Sequence, residues 1–164
     1  MDSGLDIRFD TYLAQVIGGP TPISSAGENR VSTVTDFHSN VPVELKKPDA
    51  EAFVNGWRAN HDTDVVETVT LFDMLATAIS QAGSTDPLKV AQALEGMKIA
   101  DMVGFPVEMR AEDHQLLMPL YGGTFTRNAK YDAEKTGFAW KTDFIAPAAD
   151  LTLPTTCKMK RPAP

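Results

Sequence analysis

Three histidines and one cysteine are the groups in this chain best suited to holding a metal or moving a proton. His38, His61 and His114 have dissimilar neighbours and no HxxxH or HxH spacing, so no zinc site is expected. Asp113 and His114 are adjacent and invite an acid–base reading. On a strand they would point to opposite faces and could not cooperate. A turn suits them better, with Asp113 as the turn former. Ser24 and Ser25 lie near Gly27 but lack the G-x-S-x-G frame of a nucleophile elbow. Gly18-Gly19 and Gly122-Gly123 read as turn glycines, because neither opens a phosphate-binding G-x-x-x-x-G-K-[ST] loop. No motif calls for a cofactor. A small hydrolase built on Asp113-His114 or Ser24 is the weakest of the functional readings.

Cys157 stands alone, which excludes a disulfide or a cysteine-rich metal site within the chain. It lies too far from the terminus for prenylation. It is a free thiol in a tail, or half of a disulfide whose partner lies in sequence not represented here. The net charge of −7, with only 15 Lys and Arg, disfavours tracking the phosphates of a nucleic acid. The basic run Lys158-Met159-Lys160-Arg161 reads as solvated tail. An apolar fraction of 43% over 164 residues fits one globular domain with a real core. No apolar run approaches the roughly 18 residues that span a bilayer, so direct membrane insertion is not expected. The opening MDSGLDIRFD lacks the basic and apolar regions of a secretory signal. The chain is therefore cytosolic, or a mature or truncated piece of an exported protein.

The elements that position these residues can be read in part. Residues 7–16 suggest a strand, and Gly18 to Asn29 a loop by composition. Val31 to Phe37 alternates, with Val31, Thr33 and Thr35 on one face. A second loop is expected around Pro42 and Pro48. A helix should open near Asp49, with Glu51 in its first turn and Phe53, Val54 and Trp57 as its apolar stripe. Trp57 and Trp140 read as packing aromatics.

The strongest helix signal follows. Val65, Val69, Phe72, Ala76 and Ile79 recur at helical steps. Val66, Leu71, Leu75, Ala78 and Ala82 widen the stripe to most of the circumference, which predicts burial on more than one side. Gly83 suits the left-handed position after the helix. Ser84-Thr85-Asp86-Pro87 caps the next helix, whose buried face is Val90, Ala91, Leu94 and Met97, with Gly96 ending it. After Asp101 the period becomes two, with Phe105, Val107 and Met109 alternating. RAEDHQ, residues 110–115, is a polar turn. Leu116 to Phe125 returns as a second strand, Ala139 to Phe144 is a last one, and the chain from Pro147 is an extended tail. The class is mixed α/β.

AGENRV, PDAEAFVNGW, LFDMLATAISQAGSTDPLKVAQALEGM, RAEDHQLLMPLYGGTF and TTCKMKRP, in that order, resemble the type I solute-binding proteins for leucine, isoleucine and valine of ABC transporters. The resemblance covers nearly the whole chain, most clearly Thr33 to Tyr121, and is to the C-terminal portion of that family. It implies a partial type I periplasmic-binding fold, in which two α/β lobes joined by three hinge crossings close on a small ligand. Residues 1–60 would then belong to the second lobe. Residues 61–102 would be helices packing on the first lobe, and 103–164 hinge-region strands and tail.

The resemblance also implies a periplasmic location, an amino acid or similar small ligand, permease subunits as partners, and no enzymatic activity. Of the family's ligand-holding segments it carries over only Thr11-Tyr12. There Tyr12 would offer an aromatic face to an ammonium or an aliphatic side chain. The plain alternative is a half-buried strand tyrosine. Asp10 is shifted from the position of the acidic residue that some members use. A cytosolic ligand-sensing module of the same fold is the other reading. No helix-turn-helix with a basic face accompanies it, which counts against a DNA-binding version.

Overall fold

The computed structural model describes residues 11–14, 23, 25–61, 69–132, 135–160 and 162. The chain divides into two compact units, one of residues 1–67 and 120–146, the other of residues 68–119 and 147–164.

The first unit is built on a four-stranded sheet in the order β1-β2-β6-β7. β1 (Thr11–Ala14) runs parallel to β2 (Val31–Thr35), which is antiparallel to β6 (Leu120–Thr126). β6 in turn pairs antiparallel with β7 (Ala139–Ala146). The alternation read in β2 is its burial pattern: Val31, Thr33 and Thr35 are buried, and Ser32 and Val34 are half-buried. The other residues of the predicted 7–16 strand lie outside the described residues, as do 18–22 and Ser24 in the following loop.

Gly122 and Gly123 are not turn residues. They lie within β6 at a register shift against β7. A Cβ on Gly122 would sit 2.0 Å from the Phe144 ring, so the missing side chain is what lets that ring lie across the strand. On the same sheet Val31, Phe125 and Trp140 form the core, with Ile23 and Phe138 packed against them. Phe125 stacks on Phe138 at 4.8 Å and meets Trp140 edge-on at 5.8 Å, both favoured aromatic geometries.

The predicted loop around Pro42 and Pro48 holds helices instead. α1 (Val41–Glu44) has Pro42 in its first turn, and Pro48 opens α2 (Pro48–His61). Proline at these positions gives up an N–H that a helix start leaves unbonded anyway. α2 buries Ala50 and Val54. Phe53 is instead 42% exposed and lines up with Trp57 and His61 along the helix, at 6.4 Å and 4.4 Å between successive rings.

The second unit begins its described part with α3 (Val69–Ala82). Gly83 follows at φ +56°, with Ser84 N–H on Ile79 O and Gly83 N–H on Ser80 O. These are the two bonds of a Schellman ending. Asp86 caps α4 (Pro87–Leu94) by accepting from the N–H groups of Leu88 and Lys89. Three short antiparallel strands follow, β3 (Lys98–Ala100), β4 (Pro106–Met109) and β5 (Leu116–Leu117), in that order. The core is Met74, Ala78, Val90, Met97 and Met109.

Two expectations for this unit are corrected. α3 is buried along one stripe, Thr70, Met74 and Ala78, while Leu71, Phe72 and Leu75 are 51%, 65% and 40% exposed. A sheet this small packs against one side of the helix only. Leu116 to Phe125 is also not one strand: β5 pairs with β4, whereas β6 pairs with β2 and β7 in the other unit. The break falls at buried Pro119, which has no N–H to give to a ladder. Val65 and Val66 lie outside the described residues. The tail opens with a short helix, α5 (Ala148–Leu151), before it extends.

Candidate ligand-binding site

Thr11 and Tyr12 are strand residues, in register with Val31 and Ser32 of β2. Their side chains lie outside the described residues. At its far end β2 runs into a polar segment. Thr35, His38, Ser39 and Asn40 are all buried there, and the segment turns the chain from β2 into α1.

Each bond in the segment has a structural purpose. The Thr35 hydroxyl donates to the Phe37 carbonyl at 3.1 Å, fixing the bend after the strand. Asn40 donates from Nδ2 to the Tyr131 carbonyl at 3.0 Å and accepts the Tyr131 N–H at 2.8 Å. That reciprocal pair fastens the segment between β6 and β7 to the start of α1. The Tyr131 hydroxyl then reaches Asn55 Oδ1 on α2 at 2.7 Å. Glu44 accepts the Thr142 N–H at 2.8 Å, tying α1 to β7.

His38 lies within this frame. Its Nε2 is 3.2 Å from the Thr142 hydroxyl, and its Nδ1 is buried without a hydrogen-bond partner among the described residues, as is the Ser39 hydroxyl. Burial pushes the imidazole down to about 4, because a charged ring there would lose its hydration. The ring is thus a neutral wedge between α1 and β7. His38 was legible in the sequence as a single residue; the cluster around it was not. The signal was the run Thr35-Asp36-Phe37-His38-Ser39-Asn40, rich in residues that bond their own backbone at a strand end.

Asp113 and His114 are turned to different partners. The Asp113 carboxylate takes a two-pronged grip from Arg110, with Nε at 2.8 Å from Oδ1 and Nη2 at 2.5 Å from Oδ2. The Arg110 guanidinium, helped by the Thr155 hydroxyl, holds that carboxyl well below the usual range. Arg110 Nη1 also donates to the Leu153 carbonyl at 2.6 Å, which fastens the tail to the turn. His114, at φ +56°, places Nε2 3.4 Å from Glu95 Oε1. The pair does not form an acid–base dyad. Among the described residues no three of His, Cys, Asp and Glu come together to hold a metal ion. Nor is any described helix long and apolar enough to cross a membrane. Cys157 is exposed.

With this geometry in hand, the chain can be set beside known proteins. Residues 2–130 match the sequence model of the periplasmic binding proteins. The chain belongs to the periplasmic binding protein family.

Solved structures agree on the fold. The closed leucine-, isoleucine-, valine-, threonine- and alanine-binding protein of Brucella ovis superposes with a TM-score of 0.78 at 19% identity. The match takes in 98% of this chain and 43% of that one. A leucine-binding protein of Thermotoga maritima gives 0.61 at 16% identity, over 90% of this chain and 41% of its own. A solute-binding protein of an ABC transporter from Rhodopseudomonas palustris, in complex with 3,4-dihydroxybenzoic acid, gives 0.58 at 15% identity. That match covers 76% of this chain and 32% of the other. Curated protein sequences yield no match. The mixed α/β architecture is thus part of the type I periplasmic-binding fold, and the chain spans about two fifths or less of the length of these relatives.

Proposed function

We propose that these residues form the C-terminal portion of the solute-binding component of an ABC transporter, that its solute is a branched-chain amino acid or a related small molecule, and that its place of work is the periplasm. The observation that carries this reading is the superposition of 98% of the chain on a leucine-, isoleucine-, valine-, threonine- and alanine-binding protein. Residues 1–60 then belong to the second lobe, 61–102 supply helices of the first, and 103–164 supply hinge strands and the tail. The presence of two compact units is in keeping with pieces of two lobes, although β6 and β7, within 103–164, pair in the sheet of the first unit. The exposed face of α3, Leu71, Phe72 and Leu75, also supports it, since an apolar patch of this kind marks a surface that another element covers.

In this reading Tyr12, with Thr11 beside it, meets the solute's ammonium or aliphatic end. The permease subunits of the transporter are the partner of the loaded receptor. The 164 residues alone hold free amino acid weakly, because they bring only part of the contacts that make such a site tight. Reading the DNA upstream of Met1 tests the assignment. A frame that runs on into a first lobe rich in Ser and Thr would support it. A stop codon or unrelated sequence would leave a truncated product and overturn the transport role. The aromatic acid in the Rhodopseudomonas complex makes dihydroxybenzoate the natural second solute to try after leucine, isoleucine and valine.

A further inference from the structure

The second unit has a cavity of its own, about 340 Å³, between α4, the turn after β4 and the C-terminal tail. Leu88 and Ala91 line it from α4, Glu95 from the residue just past that helix, His114 from the turn, and Met159 and Lys160 from the tail. Residues 88 and 91 fall on one face of α4, a step of three apart, and Glu95 follows at the residue that ends the helix. The tail that completes the cavity is fastened by Arg110 through the Leu153 carbonyl.

Three features define what would fit. The volume is that of a small-molecule pocket, and the lining is mainly apolar. A thioether at Met159 favours an aromatic ring over an alkyl chain. The Glu95 carboxylate and the Lys160 ammonium offset each other, so a charged ligand gains from one and loses to the other. A neutral ligand avoids that conflict, and one hydroxyl on it can donate to the carboxylate of the Glu95–His114 pair, whose members lie 3.4 Å apart. We propose that this cavity binds a small neutral aromatic alcohol. The site lies wholly within the second unit and does not depend on the amino-acid reading above.

The test is a titration of the ¹⁵N-labelled chain with 2-naphthol, followed by amide shifts. The expected result is saturating shifts at Leu88, Ala91, Glu95 and His114, with a midpoint below about 1 mM. Ala91→Phe, which fills the cavity from the helix, should weaken binding by about tenfold or more. Contacts between ring protons and the Ala91 and Met159 methyl groups give a readout independent of that variant's folding. Shifts confined to the Leu71, Phe72 and Leu75 face, or no shifts at all, would overturn the proposal. So would tighter binding of 2-naphthoate or of a naphthyl amine than of 2-naphthol.

Discussion

His38 shows how one residue can report on the fold around it. Below pH 6.5 the unfolded chain takes up a proton on this ring, while the folded chain refuses it until about pH 4. The folded state is therefore fully favoured above 6.5 and loses stability as the pH falls through that window. The loss attributable to His38 reaches about 3 kcal/mol near the bottom of the window. Urea midpoints for the chain and for His38→Gln, measured between pH 7.5 and 4.5, should diverge, with the variant showing the flatter profile. Parallel profiles would mean that His38 is solvated. Arg110 offers a second check. It joins Asp113 and the Leu153 carbonyl, so Arg110→Ala should release the tail, and trypsin should cut at Lys158 and Lys160 severalfold faster. An unchanged cleavage rate would mean that the tail is held by other contacts.

At the level of elements, α3 carries the sharpest prediction. Met74 is fully buried and Phe72 is 65% exposed. Met74→Ala should cost about 2–5 kcal/mol in urea unfolding, against no more than about 0.5 kcal/mol for Phe72→Ala. The reverse order would place the core on the opposite face of the helix. Asp86→Ala, which removes the cap of α4, should cost about 1 kcal/mol. What could be read from the sequence follows the same division. The α3–Gly83–Asp86–α4 run was legible because capping and the left-handed glycine are local chemistry. β2 was legible because its alternation is its burial. The face of α3 was not, since its apolar residues nearly ring the helix and only the extent of the neighbouring sheet decides which are covered. β3 was missed because Lys98-Ile99-Ala100 holds one apolar position between two exposed ones. The split at Pro119 was missed because hydropathy runs on across it, while pairing moves to another sheet.

For the whole molecule, the family is shown by a match over residues 2–130, and the fold by structures of which this chain spans about two fifths or less. Neither the family nor the fold names the solute. For a contact with the solute the sequence offers only the proposed pair Thr11 and Tyr12, and only through the resemblance, because a cleft lined from separate segments leaves no periodic signal. In a receptor extended by the upstream frame, Tyr12→Ala should weaken leucine binding by about tenfold, the loss of one aromatic contact at a desolvated ammonium. Unchanged affinity would remove Tyr12 from the site. The most direct test of the central claim is calorimetric titration of leucine into the 164-residue chain and, side by side, into that extended receptor. The extended protein should bind leucine with micromolar affinity, and the chain alone should not. Micromolar binding by the chain alone would contradict its being part of a larger site, and an extended receptor that ignores leucine, isoleucine and valine alike would contradict the solute class.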